Sequence, residues 1–90
     1  MANETDLEIL EFPCRFPVKA MGQNQPAFEQ LVVEAVRIHA GAISPGDVVT
    51  RPSRNGRYLS VTVTFTATSR DQLDAIYRTL SSSEHVLFLL

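Results

Sequence analysis

Strict two-residue alternation over 58–67, apolar spacing of three and four over 28–39 and again over 73–80, and turn-forming clusters between these runs predict an α+β chain. Their order is strand, helix, strand, strand, helix, strand. A ferredoxin-like βαββαβ sandwich satisfies that order economically, with two helices on one face of a four-stranded antiparallel sheet and right-handed crossovers. Ninety residues leave room for one such domain. We divide the chain into an acidic arm, 1–12, and a single domain, 13–90.

The arm carries Glu4, Asp6, Glu8 and Glu11 without a base, and Leu7, Ile9, Leu10 and Phe12 supply apolar grip for a short helix or strand against the body. Pro13 and Pro17 favour extended backbone. Between Cys14 and Met21, Phe16, Val18 and Ala20 alternate with Arg15, Pro17 and Lys19, so a half-buried strand is expected, with Pro17 marking a sheet edge or bulge. Gly22-Gln23-Asn24-Gln25 reads as a turn. Pro26 suits the first position of a helix capped by Asn24 or Gln25, and Gly41 suits its end. The helix presents Phe28, Leu31, Val32, Ala35, Val36 and His39 on one side.

A short strand follows around Asp47 to Arg51, and Pro52 to Gly56 reads as a hairpin connection because Asn55-Gly56 tolerates positive φ. Over Arg57 to Ala67, Leu59, Val61, Val63, Phe65 and Ala67 line one face, and Tyr58, Ser60, Thr62, Thr64 and Thr66 the other. Ser69 with Gln72 makes a capping box for the second helix, whose inward residues are Leu73, Ile76, Tyr77 and Leu80. Val86 to Leu90 is the expected last strand.

Hydrophobic residues make up 44% and charged residues 20%, an ordinary globular balance. No run of 18 apolar residues predicts a membrane span, and the opening residues lack a signal-peptide layout, so a cytoplasmic protein is expected. One cysteine, Cys14, excludes an internal disulfide. The net charge of −2 splits into −4 over residues 1–11 and +2 over 12–90.

The predicted topology sorts polar residues to the two ends of the sheet. His39 and His85 fall at opposite ends, which argues against a metal site; Cys14 shares its end with His39. Asp71 and Asp74 read as first-turn helix acids. No catalytic residues are assigned, a non-enzyme is expected, and no cofactor is required. Lys19, Arg51, Arg54 and Arg57 gather at the end where the first helix starts, with Gly22, Gln23 and Asn24 in the adjoining turn. Cations beside a helix N-terminus suit a small carboxylate or phosphate. The alternative for these arginines is a solvated surface or pairing with the acidic arm.

The sheet face away from the helices carries Tyr58, Ser60, Thr62 and Thr64 beside Arg15 and Lys19. We expect it to be covered, by the arm, by a second copy in a homodimer, or by a protein partner. Nucleic acid is not expected, since Tyr58 is the only outward aromatic on the third strand and RNA-recognition sheets need two.

Leu10-Glu11-Phe12-Pro13, Phe16 and Lys19-Ala20-Met21-Gly22 resemble the N-terminal signature of the YbeD-like family of small bacterial proteins. Pro52-Ser53, Gly56, Tyr58, Ser60-Val61-Thr62-Val63, Ala67-Thr68, Gln72-Leu73, Tyr77 and Val86 to Leu90 resemble the remainder. The resemblance spans residues 7–90; Phe88 and Leu89 make the last strand more apolar, and 42–46 varies. It implies an ACT-like fold and a regulatory role with lipoate-like binding, brings no catalytic residues, and implies a metabolite site near the first strand–helix loop, Met21 to Gln25.

Overall fold

The computed structural model describes residues 10–90, so of the arm only 10–12 are placed. Strand β1 (Cys14–Gln23) leads to helix α1 (Phe28–Ala40), a 3-10 turn (Pro45–Asp47), β2 (Val48–Pro52), β3 (Tyr58–Ala67), helix α2 (Arg70–Ser81) and β4 (Phe88–Leu89). The four strands form one sheet in the order β2-β3-β1-β4, every neighbouring pair antiparallel. This is the α+β ferredoxin-like arrangement, and its sheet is open rather than closed.

Alternation determines which side chains reach the core. Val18 and Ala20 of β1 and Val61, Val63, Phe65 and Ala67 of β3 face the helices and are buried. Phe28, Val32, Ala35 and Val36 of α1, with Leu73, Ile76 and Leu80 of α2, close over them. Each fully buried aliphatic or aromatic side chain contributes about 1.5–3 kcal/mol relative to exposure. Leu10 and Phe12 pack on the margin of this core, as the arm's apolar residues lead one to expect; Leu7 and Ile9 lie outside the described residues.

The boundaries depart from expectation at both ends of α1 and along the sheet. Helix α1 starts at Phe28, not Pro26, and neither Asn24 nor Gln25 caps it: Ala27 occupies the N-cap position without a side-chain bond. The cause lies in β1. Its ladder runs on through Asn24, whose N–H donates to the Arg57 carbonyl at 2.9 Å, and Pro26-Ala27 are spent turning the chain, with Phe28 N–H donating to Gln25 O. At the other end Gly41 (φ 84°) stops the helix, its N–H donating to Arg37 O.

Strand β2 is shifted one residue, to Val48–Pro52, because the 3-10 turn uses Asp47, whose N–H donates to Ser44 O. In the hairpin only Gly56 takes positive φ (76°), and Asn55 does not. The Asn55 carboxamide instead accepts from Ser53 Oγ and from Arg57 N–H, each at 3.0 Å. The Ser69 half of the capping box of α2 forms as expected, with Ser69 Oγ accepting from Gln72 N–H at 3.0 Å, while Gln72 Oε1 reaches one residue further back and accepts from Thr68 N–H at 2.8 Å. Gln72 Nε2 then donates to His39 O, tying the start of α2 to the end of α1.

Both strand prolines sit where no ladder bond is lost. Even-numbered β1 residues bond to β3, while Lys19 exchanges both bonds with Leu90 on the other side. Pro17 shares that second side, past the reach of β4. On β2, Ser53 N–H donates to Tyr58 O, so by parity the nitrogen of Pro52 points out of the sheet.

Candidate functional site at the β1–α1 end

The end of the sheet named by the sequence does gather its residues, but onto three surfaces instead of one. Lys19 of β1 and Arg51 of β2 lie on the open face, where odd β1 residues and even β3 residues point away from the helices. With Met21, Pro52, Ser53, Tyr58 and Ser60 they line a groove of about 190 Å3. Among the described residues neither Lys19 nor Arg51 makes an ion pair; the bridges run Arg15–Asp47, Arg37–Glu34 and Arg70–Asp74. Among the described residues, the groove therefore holds two uncompensated cations over an apolar floor.

Gln23 lines a separate cleft of about 260 Å3 with Gln25, Glu84, His85 and Leu87. There Gln25 Nε2 lies 3.4 Å from His85 Nδ1. Arg54 and Arg57 are exposed in the hairpin and line neither cavity. Asn24 Nδ2 donates to Gly56 O at 3.0 Å, so its amide holds the hairpin against the β1–α1 turn. Gly22 is buried: a Cβ there would lie 2.3 Å from His85 O and 2.5 Å from Phe28 Cε1. Its lack of a side chain serves this packing.

On the open face Ser60 is buried, and its hydroxyl donates to Arg51 O at 3.2 Å. Tyr58, Thr62 and Thr64 are half-buried. Thr66 accepts from Arg15 Nη1 at 3.2 Å, and Arg15 Nη2 meets Asp47 Oδ2 at 2.8 Å. Beside these polar positions stand Val49, Phe88 and Leu90, which are 56%, 67% and 75% exposed. Sequence reading did not single out Val49 or Leu90, nor Pro52 and Ser53 of the groove, as site residues; it named Phe88 only as making the last strand more apolar and Met21 only as the start of the loop the resemblance implies. Parity gave a signal for Phe88: it pairs with Met21, so once the register is known both face outward.

The other end offers less chemistry. His39 Nε2 lies 2.8 Å from Thr79 Oγ1, which engages its ring in the helix layer. On α1, Arg37 Nε donates to Glu34 Oε1 at 2.9 Å; this bond holds the Glu34 carboxyl below its ordinary pKa and raises that of Arg37. Burial raises the pKa of the Tyr77 phenol.

Comparison with known proteins adds the family. Residues 7–90 match the family described as "Protein of unknown function (DUF493)". The chain belongs to that family. The YbeD-like resemblance is thereby borne out. Relatives named "UPF0250 protein" include one from Chromobacterium violaceum, 48% identical over 83 residues that cover 92% of this chain and 93% of the relative. Another, from Neisseria gonorrhoeae, is 45% identical over 88 residues, covering 98% and 97%. The solution structure of protein HP0495 from H. pylori matches the DUF493 domain with a TM-score of 0.75 at 13% identity, covering 100% of this chain and 94% of that one. At that identity the match shows the shared ACT-like fold and nothing of ligands. No helix among the described residues is long and apolar enough to cross a membrane.

Proposed function

We propose that this DUF493 domain is a non-enzymatic regulatory module of the cytoplasm that takes a small carboxylate in the open-face groove. The observation that carries this reading is the convergence of Lys19 and Arg51, unpaired among the described residues, on one groove floored by Met21, Pro52 and the Tyr58 ring. Arginine accepts a carboxylate bidentately, lysine adds a point charge, and the floor suits a short apolar tail. A lipoate-like acid has this chemistry. Arg54 and Arg57 raise the local positive potential from the hairpin, and Gln23 and Asn24 border the turn.

Thermal denaturation with lipoate, octanoate and amino acids tests the reading. One of the acids should raise the melting temperature, and Lys19→Ala with Arg51→Ala should remove that rise while leaving the unliganded melt in place. A shift that persists in the double variant, or no shift with any acid, refutes it.

The exposure of Phe88 and Leu90 favours a second reading, a protein-interaction adaptor working through the open sheet face. In that case no acid stabilises the domain and binding to its partner depends on Phe88 and Leu90. A homodimer is the simplest such complex, and light scattering measures it.

A further inference from the structure

The open-face groove continues into an apolar shelf on the β4 side. The register sets the outward side chains in rows across the sheet. One row runs Arg51, Ser60, Met21 and Phe88 from β2 to β4, and the next runs Val49, Thr62, Lys19 and Leu90. Ser60, buried and bonded to Arg51 O, is the smallest side chain of its row, so the surface dips there between Arg51 and Met21. Toward β4 the first row passes from the Arg51 cation to a thioether and then a ring, and the second ends on Leu90. Among the described residues no large apolar side chain is more exposed than Phe88 and Leu90.

A ligand whose carboxylate meets Lys19 and Arg51 can lay the rest of its length in four directions. Past Arg51 it leaves the sheet, because β2 is an edge strand. Past Tyr58 it meets Gln23 and the exposed hairpin of Arg54 and Arg57. Along β3 it meets Thr62 and Thr64 and then the Arg15–Asp47 pair. Over Met21 it finds continuous apolar surface.

We infer that Phe88 and Leu90 extend the carboxylate site: the tail of a straight-chain acid crosses β1, ends on them, and is selected for length there. This rests on the carboxylate reading of the groove and adds to it the residues that read the tail. Neighbouring strands lie about 5 Å apart, so the path from Ser60 on β3 across β1 to Phe88 on β4 covers about 10 Å, the extended length of roughly eight carbons. A surface charged at one end and apolar along the rest complements an acid with an unbranched tail. A second copy laid on this face would instead bring two more cations and no acid from these two rows.

Calorimetric titration of the full chain with butanoate, hexanoate, octanoate and decanoate tests the shelf. With one side of the tail left in water, affinity should rise about twofold per methylene from butanoate to octanoate and level off at decanoate, whose end passes Phe88. Phe88→Ser with Leu90→Ser should remove the rise, so that octanoate binds no more tightly than butanoate, whereas Phe88→Leu should keep it. Lys19→Ala with Arg51→Ala should weaken all four acids alike. Three results overturn the shelf alone: equal affinity for all four acids, which means that another part of this chain or a second copy already covers it; a rise that survives the serine pair; or affinity for octanoate that falls as protein concentration increases. No binding at any length overturns the carboxylate reading and the shelf with it.

Discussion

A methyl group on Gly22 would have to displace both the backbone at His85 and the ring of Phe28, since it would stand 2.3 and 2.5 Å from them. The ring can shift, but the carbonyl belongs to the segment that positions β4. Gly22→Ala should therefore destabilise by about 1–3 kcal/mol, the usual cost of overpacking. For a domain of this size that lowers the melting temperature by about 4–8 °C per kcal/mol, measurable by circular dichroism. Tyr77 predicts a pH dependence. Its phenol is held neutral by burial, so its folded pKa lies above the unfolded value of 10.0. The associated stability is fully present below pH 10 and is lost as pH rises through the folded pKa. Alkaline melts should fall more steeply for the wild type than for Tyr77→Phe.

Among the elements, the two helices start by different devices, and the difference predicts their sensitivities. Helix α2 has a side-chain cap from Ser69, and Gln72 bonds back to Thr68. Ser69→Ala should cost about 1 kcal/mol, read as a shift in the urea midpoint with an unchanged slope. Helix α1 has no side-chain cap, and its entry is held by Asn24, which ties the turn to the hairpin. The Ser69 cap was legible because Ser69 and Gln72 lie three residues apart. The start of α1 was not, because the Asn24 amide is drawn to Gly56, 32 residues away. Pro17 was read correctly as an edge signal, although β1 is an inner strand: the edge is local, produced by the shortness of β4.

For the whole molecule, one core joins both helices to the sheet, and its loss is felt everywhere. Leu80 is fully buried between them. Leu80→Ala should remove about 2–5 kcal/mol, a large part of the 5–15 kcal/mol typical of a domain, and raise the unfolded fraction seen in a urea titration. Phe88 and Leu90 behave in the opposite way, being exposed on the open face. Phe88→Ser with Leu90→Ser should change stability by no more than about 0.5 kcal/mol per site. The same pair should abolish any association through that face, measured by light scattering.

Local pattern alone determined the six elements, the core face of the two helices and of the first and third strands, and the end of the sheet at which Lys19, Arg51, Arg54 and Arg57 lie. Periodicity carries that information because a side chain's direction follows from its position in a helix or strand. The open-face groove was a tertiary decision. Lys19 and Arg51 meet there because β3 lies between their strands in a particular register, whereas Arg54 and Arg57, closer in sequence to Arg51, are carried off by the hairpin. Gly22 and Asn24 looked like parts of a binding loop and are parts of the packing, because the atoms that constrain them arrive from His85, Phe28 and Gly56. Contacts of that kind form between distant segments, and only the folded chain brings those segments together.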